Sequence, residues 1–208
     1  NDKVYSDEGL IHRTVNNGAV TISVDSRRDP DKNKVYAKGS WDLALARSKK
    51  LKEVDLSHLD TSEITSAQWM FGDDTALTDA NVANWSFNNN ANLAHLFGGS
   101  TGDSKLQRVN MSNMDLRKVE NLSYMFENAT GLNTIDFQNT KFADNATTSY
   151  MFPSLDKLKI QLNGAKNVPQ AIFDAFISAV KNSKAETLDL SNISLSSKIK
   201  DSNLLSGL

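Results

Sequence analysis

The sequence predicts an α/β solenoid, a coil of repeated units in which parallel strands alternate with short helices. Three observations lead to this prediction. Units of about 26 residues recur along the chain, each opens on the same spaced apolar pattern, and four of them close on Met or Leu followed by Phe. A unit of this length cannot bury its apolar side alone, so neighbouring units must stack into one elongated core.

The composition is that of a folded domain and excludes several function classes. Of the 208 residues, 39% are hydrophobic and 23% are charged, which is enough apolar surface for a core. The formal net charge of −2 gives no general attraction to nucleic acid or to an anionic membrane. No stretch reaches 18 apolar residues, so no membrane insertion is expected. The absence of cysteine excludes thiol catalysis, disulfides and cysteine-based metal sites.

The N-terminal region, residues 1–50, is predicted to be a β-hairpin and helical cap. Two runs with apolar residues at alternating positions flank Asn16-Asn17-Gly18, and Asn-Gly suits the positive φ angles of a type I′ turn. The segment 39–45 resembles a capped helical turn that places Trp41 against the core. A solenoid needs such a cap because its first unit would otherwise expose apolar surface.

Residues 51–157 hold the four clear repeats, which start at positions 51, 77, 106 and 132. Each opens on L-x-x-[V/I/A]-x-[L/V/M/F], the strand signature of a leucine-rich repeat. Strand alternation turns Val54 and Leu56 inward and Asp55 outward. The segment before the next strand is predicted to be a short helix or turn that closes on the core. The phenylalanines of these segments, expected to form a buried aromatic spine, are Phe71, Phe97, Phe126 and Phe152.

Residues 158–208 are predicted to contain degenerate repeats and one helix that would form a C-terminal cap. A fifth strand pattern begins at Leu158, and Pro169 suits the first turn of a helix. The helix is indicated by apolar residues at i, i+3, i+4 and i+7, which are Phe173, Phe176, Ile177 and Val180.

No group of residues satisfies a catalytic or metal-binding pattern, so the sequence predicts no enzyme, no cofactor and no metal site. Ser100 lies in a G-x-S-x-G match, but a nucleophile elbow needs a strand before it and a helix after it, the reverse of the predicted order here. Asp29, Asp31 and Asn33 resemble the first half of a calcium loop, and the Gly and Glu of the complete loop are missing. The three histidines lie in separate units without zinc-ligand spacing.

A polar ladder on the outward face of the strands is the first candidate binding surface. One outward position in each unit is an acid or an amide, and such groups can hydrogen-bond to glycan hydroxyls or to protein backbone. The alternative is an ordinary solvated sheet face. The candidate ligand-binding residues of this polar ladder are Asp55, Asn81, Asn110, Asp136 and Gln161.

A basic cap patch is the second candidate. Residues 25–52 contain nine basic and four acidic residues, a formal charge of +5, while the rest of the chain carries −7. Such a patch would attract sulfated or sialylated glycans or teichoic acid, and the alternative is a charged face that only keeps the domain soluble. The patch residues are Arg27, Arg28, Lys32 and Lys34.

One repeat position carries an aromatic column of Trp69, His95, Tyr124 and Tyr150. Either the rings pack beside the phenylalanine spine or they form a platform for a ligand. Repeated aromatic residues usually mark the core of a solenoid, which favours packing. Trp85 shares its position with apolar residues of other units, which predicts that it is buried.

The repeats resemble the BspA-like leucine-rich repeats, also described as the DUF285 class. The motif S-Y-M-F occurs at 123–126 and at 149–152, and Asp60-Thr61-Ser62 with Ile64 is similar to the D-T-S-x-V segment of those repeats. The resemblance covers residues 51–157 well. It implies an extracellular protein of a Gram-positive cell surface or cell wall, with its signal and anchor outside this chain.

The resemblance also implies adhesion. We therefore expect a module that binds host glycoproteins, mucin or extracellular matrix, or other microbes, through its repeat surface. The alternative is a structural spacer that binds nothing and presents another domain of a wall-anchored protein.

Overall fold

The computed structural model of the protein describes residues 3–5, 11–24, 35–153, 158–182 and 189–199. Within these ranges the chain forms short strands and a single helix, α1, at Gln170–Lys181. The strands are β1 Lys3–Tyr5, β2 Ile11–Asn16, β3 Ala19–Val24, β4 Val35–Ser40, β5 Leu51–Asp55, β6 Leu59–Ser66, β7 Asp79–Asn81, β8 Ala91–Asn92, β9 Arg108–Asn110, β10 Asp115–Leu116, β11 Val119–Asn121, β12 Thr134–Asp136, β13 Lys141–Phe142 and β14 Lys159–Gln161.

The architecture is a β-solenoid of about five turns with parallel strands and little helix. The first sheet has the order β1-β2-β3-β5-β7-β9-β12-β14, in which β5, β7, β9, β12 and β14 come from successive turns and pair in parallel. Farther along the turns lie a second sheet, of the order β11-β8-β6-β4, and a third sheet of β10 and β13. The predicted stacking of repeats into a solenoid is confirmed.

One apolar core runs along the inside of the coil. The inward positions of the first sheet lie in one register and are at most 6% exposed; they are Val54, Ala80, Val109, Ile135 and Ile160. Full burial of a valine or isoleucine side chain stabilises the fold by about 1.5–3 kcal/mol. The apolar position of the sequence repeat therefore sets the strand register.

The predicted phenylalanine spine is also confirmed. Consecutive rings of Phe71, Phe97, Phe126 and Phe152 stack with centroids 5.0, 5.7 and 5.7 Å apart. Phe71, Phe97 and Phe126 are buried, and Phe152 packs against the same core while partly exposed. Successive turns of the coil therefore place their rings in one continuous stack.

The segments that carry these phenylalanines are turns, and the short helices expected there do not form. The N–H groups of Phe71, Phe97 and Phe126 donate to carbonyls of the next turn of the coil, at 3.0, 2.9 and 2.9 Å. An α-helix needs those N–H groups for carbonyls four residues back in its own segment. Hydrogen bonding between turns therefore replaces helix formation at this corner.

The two ends of the described coil differ. The predicted hairpin forms between β2 and β3, with Asn17 and Gly18 at φ angles of 50° and 79°, and β3 pairs in parallel with β5. The segment after β4 is a turn, with Trp41 packed against the core. Near the other end, α1 forms as predicted from its apolar spacing and buries Phe173, Phe176 and Ile177.

Among the described residues no helix has the length and hydropathy needed to cross a membrane.

Candidate functional site

A shallow groove follows the outward face of the first sheet. It has a volume of about 480 Å³ and runs from β3 to β14 across the coil. All five residues of the polar ladder line it. Strand pairing places them side by side in a single register, from Asp55 through Asn81, Asn110 and Asp136 to Gln161. The structure therefore brings the predicted ladder together, while ligand binding by these residues stays a prediction.

Each Asp or Asn of the polar ladder also closes the turn that follows its strand. The side-chain Oδ1 atoms of Asp55, Asn81, Asn110 and Asp136 accept hydrogen bonds from the backbone N–H two residues later, at 3.1, 3.1, 2.9 and 2.8 Å. This is the local pattern that makes Asp and Asn favourable in turns. The sequence signal for this role is an acid or amide immediately after the inward apolar residue.

Amide donors of the ladder remain available to a ligand. The Nδ2 groups of Asn81 and Asn110 have no hydrogen-bond partner within the part of the chain that the structure describes. Both residues are only partly buried. Farther along the groove, Gln138 Nε2 donates to Gln161 Oε1 at 3.2 Å, so the last ladder residue is held by a neighbour. Gln161 Nε2 has no partner in the described residues either, so the groove offers amide donors at its centre and at its β14 end.

The groove is acidic. Four carboxylates and one guanidinium line it, those of Glu53, Asp55, Asp79, Asp136 and Arg108, for a formal charge of −3. Arg108 forms a bidentate pair with Asp79, with Nη2 to Oδ2 at 3.0 Å. Partial burial raises the pKa of Asp79, but hydrogen bonds from Arg108 and Thr78 outweigh it, and the net pKa lies below its usual value. Asp79 is therefore ionised and neutralised locally, and the remaining negative charge disfavours anionic ligands.

The basic cap patch lies outside the described residues. Arg27, Arg28, Lys32 and Lys34 all fall in the range 25–34, as do the residues of the partial calcium loop. Their contribution to binding stays a prediction.

The aromatic column forms a continuous stack at the surface. Rings of Trp69, His95, Tyr124 and Tyr150 lie nearly parallel, with centroids 4.3, 4.7 and 5.2 Å apart. The first three residues are partly buried, and Tyr150 is 75% exposed. The interpretation that the sequence favoured was packing beside the phenylalanine spine; three of the rings are partly buried, and Tyr150 is largely exposed, so the column is not part of the fully buried core. A role as a ligand platform stays a prediction. The buried rings are those of the phenylalanine spine, two residues farther along.

Backbone conformation makes this column unusual. The four residues have φ angles of 56°, 57°, 58° and 51°, a left-handed conformation that costs a residue with a side chain about 1–2 kcal/mol. Stacking of one aromatic pair contributes about 0.5–1.5 kcal/mol. Three stacked pairs therefore return about 1.5–4.5 kcal/mol, against a backbone cost of about 4–8 kcal/mol for the four left-handed residues. Gly72 accommodates the first ring, because a Cβ atom there would lie 2.5 Å from Trp69 Cε3.

With the groove and the column located, comparison with known proteins identifies the family. The profile described as "Mycoplasma protein of unknown function, DUF285" matches residues 42–191, more than half of the chain. The chain belongs to the DUF285 family. No curated protein and no solved structure matches it. The DUF285 match includes all five residues of the polar ladder and all four of the aromatic column.

Ser100 of this DUF285 chain is not arranged as a nucleophile. Its N–H and hydroxyl groups donate to the two carboxylate oxygens of Asp73, at 2.6 and 2.8 Å. The residues before it form a turn, and the strand that a nucleophile elbow requires is missing at that position. The Asp73–Ser100 pair connects the inserted loop to the preceding turn of the coil.

The DUF285 chain also contains a buried carboxyl next to that pair. Asp74 is 6% exposed, its Oδ1 accepts from Ser48 N–H at 2.7 Å, and its Oδ2 has no partner in the described residues. Burial raises the pKa of Asp74 to about 8, so the group is largely protonated at neutral pH.

Among the described residues no cluster of three or more His, Cys, Asp or Glu could hold a metal ion.

Proposed function

We propose that this DUF285 chain is a bacterial cell-surface adhesion module that binds host or microbial proteins and glycoproteins through the groove of the first sheet. The observation that carries the proposal is the continuous polar ladder, which crosses successive turns with unpaired amide donors at its centre. A wide repetitive surface of this kind suits an extended partner. The resemblance to BspA-like repeats supports the extracellular location and the partner classes, which are mucin, extracellular matrix, other host glycoproteins and other microbes.

Hydrogen bonding and charge define the partner that the groove accepts. The amides of Asn81 and Asn110 would donate to carbonyl oxygens of a bound polypeptide, and the carboxylates of Glu53 and Asp55 would accept from its N–H or basic groups. Such complementarity gives specificity more than raw affinity. Sulfated and sialylated glycans fit this acidic groove poorly and would bind, if anywhere, at the basic cap patch.

A pair of substitutions at the centre of the groove tests the proposal. In N81S/N110S a hydroxyl oxygen can still close each turn, because Ser forms the same local hydrogen bond as Asn more weakly. The Nδ2 donors are lost. We expect binding to deglycosylated fibronectin, measured by surface plasmon resonance, to weaken about 10-fold, the loss of two hydrogen bonds of about 0.5–1 kcal/mol each.

The matched control is N92S/N121S on the second sheet. Asn92 and Asn121 close their own turns in the same way, with Oδ1 accepting at 2.9 and 3.0 Å. This control should leave binding to deglycosylated fibronectin unchanged. Equal binding by the wild type and N81S/N110S, with both folded by thermal melting, would reject the groove as the binding surface. Binding that N81S/N110S leaves unchanged and that fades with rising salt would instead implicate the basic cap patch.

The second candidate function is a structural spacer that presents another domain of a wall-anchored protein. A specific observation favours it: four of the five ladder residues already have a structural role in closing turns. A spacer should show no saturable binding to mucin, fibronectin or collagen. Binding that responds to N81S/N110S would exclude this alternative.

The N-terminal hairpin has a structural role in this proposal. We infer that the hairpin of β2 and β3 caps the coil of BspA-like leucine-rich repeats, since β3 pairs with β5 along the first strand of the repeats. Removal of residues 1–24 should then lower the melting temperature and promote aggregation through the uncovered edge.

A further inference from the structure

We propose that the aromatic column and the polar column beside it form a second binding site, which takes neutral oligosaccharides. The polar column consists of Ser66, Asn92, Asn121 and Thr147, each three residues before a ring of the aromatic column. This site follows the second sheet in each turn, whereas the groove lies on the first sheet. It goes beyond the proposed groove and does not depend on it.

The first argument is the exposed end of the stack. Tyr124 covers one side of the Tyr150 ring, and no other ring among the described residues stacks on the second side. Tyr150 is 75% exposed, so an apolar face remains open to a ligand. The C–H face of a sugar ring can pack against such a face as another aromatic ring would, while its hydroxyl groups stay outside.

The second argument is the regular spacing of the aromatic column. Its rings repeat every 4.3 to 5.2 Å along the coil, close to the strand separation of about 4.8 Å that parallel pairing imposes. Two of its rings, those of Tyr124 and Tyr150, carry a hydroxyl group. A linear oligosaccharide is also a regular polymer of polar groups, so it can contact several turns at once.

The third argument is the neighbouring amides. Asn92 and Asn121 use Oδ1 to close their turns, and their Nδ2 groups have no partner in the described part of the chain. Two donors, each three residues before a ring of the aromatic column, are therefore available to glycan hydroxyls. Aromatic rings with a few fixed polar groups are the usual composition of a small-molecule site.

The charged groups at the site disfavour anionic ligands. Two carboxylates contact the columns: Glu127, whose Oε2 lies 3.3 Å from His95 Nδ1, and Asp42, which accepts from Ser66 Oγ. Both carry negative charge, so sulfated and sialylated glycans and nucleic acids are disfavoured.

Calorimetric titration of the purified chain with short linear neutral oligosaccharides, built from N-acetylglucosamine, galactose or mannose, tests the site. We expect saturable millimolar or tighter binding by at least one of them. Tyr150→Ala should weaken it about 10-fold, the loss expected when an exposed aromatic anchor is removed. Tyr150→Phe, which keeps the ring face, should bind within about 3-fold of the wild type. Tyr36→Ala removes another exposed tyrosine, 52% exposed on β4, and should change nothing.

Crossed variants separate this site from the groove. N92S/N121S should weaken oligosaccharide binding and spare fibronectin, whereas N81S/N110S should do the reverse. The proposal is overturned if no neutral oligosaccharide binds, or if Tyr150→Ala binds as well as the wild type. It is also overturned if light scattering shows that the chain self-associates and that Tyr150→Ala only abolishes this association.

Discussion

Two corners of the coil share one backbone conformation and differ in their side chains. After the first sheet, the chain turns at Asn84, Asn113 and Asn139, whose φ angles are 69°, 55° and 59°. After the second sheet, it turns at the aromatic column, whose φ angles fall between 51° and 58°. Asn tolerates this left-handed conformation because its short polar side chain can hydrogen-bond locally, whereas bulky side chains adopt it rarely.

This difference indicates that backbone geometry explains the residue type at the first corner, whereas the second corner needs a further explanation. At the first corner, the backbone geometry alone explains the residue type, and Asn139 Nδ2 adds a hydrogen bond of 3.3 Å to Asn113 Oδ1 along the coil. At the second corner, the same geometry would be met more easily by Asn or Gly. Unfavourable φ angles of this kind are concentrated at functional sites, which agrees with a binding role for the aromatic column.

The largest expected effect separates the aromatic column from the spine beside it. Phe126 is 0% exposed, so Phe126→Ala should lower the free energy of unfolding by about 3–5 kcal/mol in urea titrations. Tyr150→Ala should lower it by less than about 1 kcal/mol, because one stacked pair is lost and left-handed strain remains. Similar losses in the two variants would mean that the column belongs to the core.

A smaller effect on the free energy of unfolding should come from Asp74, which follows Trp69 of the aromatic column in the chain. Its pKa is about 8 in the folded chain against 3.8 for the free side chain. The unfolded chain therefore releases this proton at lower pH than the folded chain, and the free energy of unfolding falls as pH rises from about 4 to about 8.

Asp74→Asn keeps the oxygen that accepts from Ser48 and cannot ionise. The variant should be more stable than the wild type by about 1–3 kcal/mol at pH 8, with the difference shrinking towards pH 4. Thermal melting across this range measures it. A stability difference that stays constant with pH would contradict the buried, protonated carboxyl.

The smallest expected changes in the free energy of unfolding come from substitutions that compare the two corners directly. Asn139→Ala should cost about 1–2 kcal/mol, because Ala is strained at a φ angle of 59°. Tyr150→Asn should change the free energy of unfolding by less than about 1 kcal/mol, since relief of backbone strain offsets the lost stacking. Guanidinium denaturation of both variants compares them. A clear loss in Tyr150→Asn would show that the ring is needed for folding.

Much of the fold follows from the sequence because one repeated apolar position sets the register. Val54, Ala80, Val109 and Ile135 recur at the spacing of the repeats, and burying them aligns every strand of the first sheet. The same register brings the polar ladder together. Local signals were equally direct at Asn17-Gly18 and in α1, where turn chemistry and helical periodicity act within a few residues.

The corner after the second sheet was less predictable because its hydrogen bonds join different turns. A motif such as Ser123–Phe126 is compatible with a short helix when considered alone, and only stacking reveals that Phe126 N–H donates to Met151 of the next turn. The exposure of Tyr150 was equally difficult to predict, because residues that recur at one repeat position can form either a buried column or a surface column. The turn-closing role of Asn81 and Asn110 was visible in their spacing to the following turn.

The most direct measurement is the pair of affinities of N81S/N110S for deglycosylated fibronectin and for a neutral oligosaccharide, relative to the wild type. The account predicts about a 10-fold loss for the protein ligand and no change for the sugar, with the melting temperature preserved. Undiminished affinity for the protein ligand would contradict the groove of the first sheet as the adhesive surface of this DUF285 chain.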